Sequence, residues 1–194
     1  MSPEVIQSER LDLVWLSPEL LEALLAGRRE EAERTAGFAV PADWPDDHDA
    51  RFLAFRLKQV REDPAHSPWL VRAIVLRGPG RLMIGNIGFH GAPGHNARKA
   101  PGALEVGYRV FAEHRRRGYA TEAVPALLDW ARAQGIDRFV ASVGPENEPS
   151  LAIVRRLGFR EVGRHWDDED GEELEFELYE LFVDDRTGEA RTAS

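Results

Sequence analysis

The sequence predicts a mixed α+β fold, with a mostly antiparallel sheet of about seven strands and helices on both faces. Three observations carry this. Apolar period-two segments alternate with segments of helical periodicity along the whole chain. Residues 104–121, LEVGYRVFAEHRRRGYAT, pass from a strand pattern through a basic glycine-containing turn into a helix pattern. Residues 174–182 alternate strictly, with Leu174, Phe176 and Leu178 set against Glu175, Glu177 and Glu180.

Residues 9–16 alternate Leu11, Leu13 and Trp15 and read as the first strand. Ser17 stands as an N-cap with Pro18 at the first helical position. Leu20, Leu21, Leu24 and Leu25 then form one apolar face, which ends near Gly27. Residues 28–35 continue helically. Residues 40–49, with Pro41, Trp44 and Pro45, read as a loop, and 49–61 as a helix. Residues 69–77 and 81–90 form a hairpin about Gly78-Pro79-Gly80. Gly85 and Gly88 inside its second strand point to a bulge or to close packing. Residues 91–102 form a polar loop, expected to be mobile and near a bound ligand.

After residue 110 comes a short polar turn, then Arg115, Arg116, Arg117 and Gly118. Ala120, Ala123, Val124, Leu127, Leu128 and Ala131 follow at helical spacing. Residues 137–143 are the next strand. Pro149 and Ser150 open a helix that Gly158 closes. Residues 159–166 and 174–182 are the last strands, joined by an acidic turn at 167–173. The chain reads as one domain over residues 1–183 with a loose tail over 184–194.

The strand–turn–helix unit is the chemical centre of the sequence. A helix start offers unpaired N–H groups and the positive end of its dipole. Arginines placed there add full charges with fork geometry, so the unit suits a phosphate-bearing ligand. It lacks the Gly-x-x-x-x-Gly-Lys-Ser/Thr of a nucleoside-triphosphate loop. The net charge of −9 argues against a nucleic-acid partner and mildly favours a cationic one such as an amine. With no cysteine there is no disulfide, thiolate metal site or cysteine nucleophile. His90 and His95 lack a third ligand at useful spacing, so no metal is expected. No signal peptide and no membrane-length apolar run are visible, which predicts a soluble cytoplasmic protein.

Arg115-Arg116-Arg117-Gly118-Tyr119-Ala120 resembles the Gln/Arg-x-x-Gly-x-Gly/Ala motif of the GCN5-related N-acetyltransferases. The run RRRGYATEAVPALLDWA, with GPENEPSLAIVRRLGF after it, looks most like the branch of the ribosomal-protein N-terminal acetyltransferases. The resemblance covers roughly residues 8–182 and implies a sheet splayed beside its central strand. It implies acetyl-CoA as cosubstrate, with backbone at Tyr108, Val110 and Phe111 holding the pantetheine and polarising the thioester. Arg115, Arg117, Gly118 and Ala120 would hold the pyrophosphate, flanked by Arg116, Tyr119 and Thr121. Arg116 occupies a place where the family often has glycine. Asn147 would bond the pantetheine and Ser150 would lie near the sulfur; both also suit helix capping. Where many members carry a tyrosine acid, this chain has Val154. Glu105 is the base candidate, with a solvated or salt-bridged strand residue as the alternative.

Phe38, Trp44 and Phe52 are acceptor-contact candidates by the same resemblance; Phe52, with Phe55, reads rather as core. The acceptor is a protein or peptide α-amine by branch resemblance. A small cationic or aminoglycoside-like amine is the alternative, and a non-catalytic CoA-binding module on the same fold is a third reading. A homodimer is left open.

Overall fold

A computed structural model gives the architecture. It describes residues 4–168 and 171–179, and the backbone of 182–183 and 190–191. The chain divides into two compact units, residues 1–92 with 107–130 and residues 93–106 with 131–194. The first unit holds β1 (Ile6–Gln7), β2 (Leu11–Trp15), α1 (Pro18–Leu25), α2 (Arg29–Ala36), α3 (Asp47–Glu62), β3 (Arg72–Leu76) and β4 (Met83–Phe89). Strand β5 (Leu104–Val110) and helix α4 (Tyr119–Ala133) each contribute to both units. The second unit adds β6 (Arg138–Val143), α5 (Glu148–Arg156), β7 (Arg160–Asp167), β8 (Gly171–Tyr179), β9 (Phe182–Val183) and β10 (Ala190–Arg191). Of the predicted tail, 184–189 and 192–194 lie outside the described residues.

The predicted mixed class is found. Eight strands run in the order β1-β2-β3-β4-β5-β6-β8-β7. The pairs β1–β2, β2–β3, β3–β4, β6–β8 and β7–β8 are antiparallel, and β5–β6 is parallel. The strand beyond the predicted seven is β1, too short for periodicity to show. The β5–β6 register covers Leu104↔Phe139 and Glu105↔Val140, which leaves the later residues of β5 outside that ladder. Among the described residues no helix is long and apolar enough to cross a membrane.

In the first unit, helix starts follow their capping residues. Ser17 Oγ accepts from Leu20 N–H at 3.2 Å, and Asp46 Oδ1 from Asp49 N–H at 2.8 Å. Asp46 moves the start of α3 ahead of the residue that apolar spacing marks. The leucines of α1 then pack with Leu53, Leu57, Val71, Val75 and Phe111 in one core. The guanidinium of Arg29 donates to the carbonyls of Val40, Pro41, Ala42 and Trp44, and so shapes the loop that periodicity left featureless.

In the second unit, β8 departs from its pattern. Leu174 and Phe176 are buried, but so are Glu175 and Glu177 on the opposite face. Arg98 bonds both carboxylates, Arg138 bonds Glu177 at 3.1 Å, and His165 lies 3.3 Å from Glu175. A charge can be buried where partners replace its water.

Gly85 serves close packing. A Cβ there would overlap the carbonyl oxygen of Arg109, and one at Gly88 would stand 2.8 Å from the Leu70 carbonyl oxygen. A register shift also occurs between Ile74 and Val75 on the paired strand. Gly85→Ala is expected to destabilise the chain by about 3 kcal/mol, because backbone rather than a flexible side chain must move. Thermal or denaturant unfolding measures it; an unchanged midpoint would contradict the close approach.

Candidate active site

The basic turn begins where β5 ends. Phe111 N–H donates to the Ile84 carbonyl at 2.9 Å, which fixes the end of the strand. A single 3-10 turn, Ala112–His114, follows. Arg115 is extended, with φ −65° and ψ 163°, and its Nε donates to the Val110 carbonyl at 2.9 Å. Arg116 at φ 62° and Gly118 at φ 80° are both left-handed, and α4 starts at the next residue. A Cβ on Gly118 would meet only Arg10 Nη2, at 3.5 Å, an ordinary contact. The glycine therefore answers the backbone angle rather than crowding. Arg115, Arg116 and Arg117 are all exposed around this turn.

A clamp from the N-terminal segment, not legible in the sequence, holds the turn. Glu122, in the first turn of α4, accepts from Ser8 Oγ and Arg10 N–H on Oε1 and from Arg10 Nε on Oε2, each at 2.7 Å. Arg10 Nη1 donates to the Arg117 carbonyl at 3.1 Å, and its guanidinium lies 4.8 Å from the Tyr119 ring centroid. Burial by itself would raise the Glu122 carboxyl. Donation from Ser8 and Arg10 outweighs it and holds the group below its ordinary value. Glutamate after a glycine turn is the one local signal of this clamp; its partners lie more than a hundred residues away, and nothing local names them.

On β5, Val110 is buried and Tyr108 half-buried, and Phe111 just beyond the strand is buried. Arg109 reaches Asp49 at 2.6 Å and Asp46 at 3.9 Å. Burial, with Asp46 beside it, keeps the Asp49 carboxyl above its ordinary value in spite of Arg109. Phe38 and Trp44 are core side chains, 5% and 3% exposed. Trp44 packs against Phe111 with ring centroids 6.0 Å apart, and its Nε1 is buried without a partner among the described residues. Phe52 is partly buried at the edge of that core, beneath the Arg56 guanidinium at 4.9 Å. Phe55, which reads as core by spacing, is 54% exposed.

In the second unit, Asn147 caps α5, with Oδ1 accepting from Ser150 N–H at 3.3 Å. Val154 is buried with Leu151 on the apolar side of that helix. Glu105 is 1% exposed. Its Oε2 accepts from Ala97 N–H at 2.6 Å and its Oε1 from Ser142 Oγ at 2.7 Å. It thereby anchors the 91–102 segment, which Asn96 braces internally against Ala100 and Arg98 ties to Glu177. That segment is more tied down than its polar composition predicts.

Residues 10–160 match the model of the GNAT acetyltransferase domain. The chain belongs to this acetyltransferase family and is an N-acetyltransferase. YjdG of Bacillus subtilis, named an N-acetyltransferase, is 26% identical over 159 residues, covering 80% of this chain and 89% of YjdG. A GNAT-family acetyltransferase from Bordetella pertussis superposes with a TM-score of 0.62 at 25% identity, over 90% of this chain and 99% of that one. RimJ of Mycobacterium smegmatis, solved with a CoA disulfide, shares the fold with a TM-score of 0.59 at 20% identity, over 98% and 93%.

Two outcomes test these placements. A carboxyl held below its ordinary value contributes stability that is complete above that ordinary value and lost as pH falls through the lower, folded-state value. Glu122→Gln should therefore lower stability at neutral pH and flatten the acid side of the unfolding profile, read by circular dichroism. Arg98→Ala should cost about 2 kcal/mol, a buried-pair loss reduced for partial exposure, in unfolding midpoint; an unchanged midpoint would remove the anchoring role.

Proposed function

We propose that this acetyltransferase uses acetyl-CoA and passes the acetyl group directly to the α-amino group of a protein or peptide. The observation that carries the cosubstrate is the turn at Arg115–Ala120. Two left-handed residues and three exposed arginines lead into a 15-residue helix, in a chain of net charge −9. First-turn N–H groups lack partners within the helix and complement a pyrophosphate. The one carboxylate there, Glu122, is already matched by Arg10.

Acetyl-CoA would supply the thioester whose carbon–sulfur bond breaks as the nitrogen–carbon bond forms. The chain's share is positioning, which can supply most of the rate when a neutral amine is held in place. Tyr108, Val110 and Phe111 offer strand backbone for the pantetheine, and Asn147 and Ser150 offer polar groups. An α-amine, with pKa near ~8, sheds its proton more readily than a lysine near ~10.4. A thiol of pKa near ~8.5 is a fair leaving group unaided. Val154 in the core is consistent with a reaction that needs no tyrosine acid. Glu105 serves in this reading as base or as anchor of the 91–102 segment.

The α-amine reading is supported by the branch resemblance and by fold neighbours. One neighbour is named as the ribosomal L7/L12 α-N-protein acetyltransferase RimL. The exposed carboxylates at the start of α3, Asp46 and Asp47, suit a cationic acceptor; Asp49, buried against Arg109, is already matched. Phe52 is the aromatic candidate that keeps some exposure.

Calorimetry with acetyl-CoA is the first measurement, and no binding at millimolar ligand would sink the proposal. Gly118→Glu should abolish binding in a folded chain, while Gly118→Ala, which adds only backbone strain, should retain most of it. Mass spectrometry of peptides incubated with labelled acetyl-CoA identifies the acceptor; label on small amines alone would refute the α-amine. Tight binding without transfer to any amine would instead support a CoA-binding module. Glu105→Gln separates its two roles. A base gives a fall of about 10- to 1000-fold in turnover and loss of the acidic limb of the rate profile. An anchor gives a lower unfolding midpoint with that limb retained.

A further inference from the structure

The first turn of α4 contains an electrostatic conflict. A carboxylate is normally welcome at a helix N-terminus, because it complements the dipole. Here the same end is assigned to a phosphate-bearing ligand, and a free Glu122 would repel it. The conflict is met by one side chain. Arg10 gives its backbone N–H and its Nε to Glu122, both at 2.7 Å, and Nη1 to the Arg117 carbonyl at 3.1 Å. Its guanidinium stacks on Tyr119, and Nη2 lies against Gly118. A single arginine thus touches Arg117, Gly118, Tyr119 and Glu122, the whole passage from turn to helix. Ser8 adds a third donor to the carboxylate, and its own Oγ also accepts from Leu11 N–H at 3.3 Å. Arg77 donates to the Ser8 carbonyl at 2.7 Å, so the clamp is itself held by the sheet.

We propose that Arg10 is a positioning residue for cosubstrate binding: it cancels the charge of Glu122 and holds the Arg117 carbonyl, so that the turn presents its arginines and N–H groups to the pyrophosphate. The inference rests on the acetyl-CoA reading and deepens it. Arg10 need not touch the ligand. Its fork is required because two acceptors, a carboxylate and a carbonyl, must be served from one planar group. Lysine supplies the charge without that geometry.

The test is CoA and dephospho-CoA binding to the full chain by calorimetry, with circular dichroism confirming the fold of each variant. Arg10→Ala should weaken both ligands by about tenfold, the scale of one lost charge-assisted interaction. An equal factor for the two ligands excludes the 3′-phosphate, which dephospho-CoA lacks, as the origin of the effect. Arg10→Ala combined with Glu122→Gln should return to within about threefold of the wild type, because the unmatched carboxylate is gone; a merely structural role for Arg10 predicts no such rescue. Arg10→Lys should fall between, about threefold weaker. It also keeps the inference testable if Arg10→Ala does not fold. A wild-type chain that binds no CoA removes the acetyl-CoA reading and this inference with it. A wild-type chain that binds, with Arg10→Ala or a folded Arg10→Lys binding equally well, removes the inference alone. So does a double variant as weak as Arg10→Ala.

Discussion

The basic turn depends on how closely two backbones approach. At Gly85 the neighbouring carbonyl of Arg109 leaves no room for a Cβ, and Phe111 N–H closes on the Ile84 carbonyl just beyond. This contact fixes where β5 ends and the direction in which the chain leaves it. Arg115 then bonds back to the Val110 carbonyl, and two left-handed residues turn the chain into α4. Glycine at position 85 is thus a remote condition for the geometry at position 118. A side chain that packs can be exchanged for another of similar volume, but a backbone contact of this kind admits no substitute.

Carboxylates are managed differently in the two units. In the second unit Glu105, Glu175 and Glu177 are buried, and each is matched by an N–H, a hydroxyl or a guanidinium. All three accept from residues of the 91–102 segment, Ala97 or Arg98. In the first unit Asp49 is buried against Arg109, and Glu122 sits half-shielded under Arg10. On the proposed reading, an acidic chain that binds an anion has to keep its own anions matched near the site. The partners observed are arginines, whose fork can serve a carboxylate and a carbonyl together.

The sequence was most legible where one segment determines its own structure. Ser17 and Pro18 set the start of α1, the apolar spacing of α4 was plain, and β5 occupies the residues its alternation marks. The basic turn was legible because residue types and order suffice to define it. Long-range pairings were not. Glu122 and Arg10 are separated by 112 positions, and Arg98 and Glu177 by 79, so no local pattern connects them. The strict alternation of β8 was visible, yet it could not say that its glutamates would be covered. Trp44 sits in a loop rich in proline and aspartate, the setting of a surface residue. Arg29 folds that loop inward by binding four of its carbonyls, and the indole becomes core.

The position of Val154 shows how far chemistry can be read from packing. A tyrosine acid at that place would have to bring a hydroxyl into a helix face formed with Leu151, and no polar partner at Val154 could be supplied by the valine that stands there. The helix start is arranged for capping, with Asn147 accepting from Ser150. A transfer that relies on an α-amine and a thiol leaving group needs little more, since neither proton transfer is strongly uphill near neutral pH. On the proposed reading, binding and orientation carry the reaction and the acid–base demand is small.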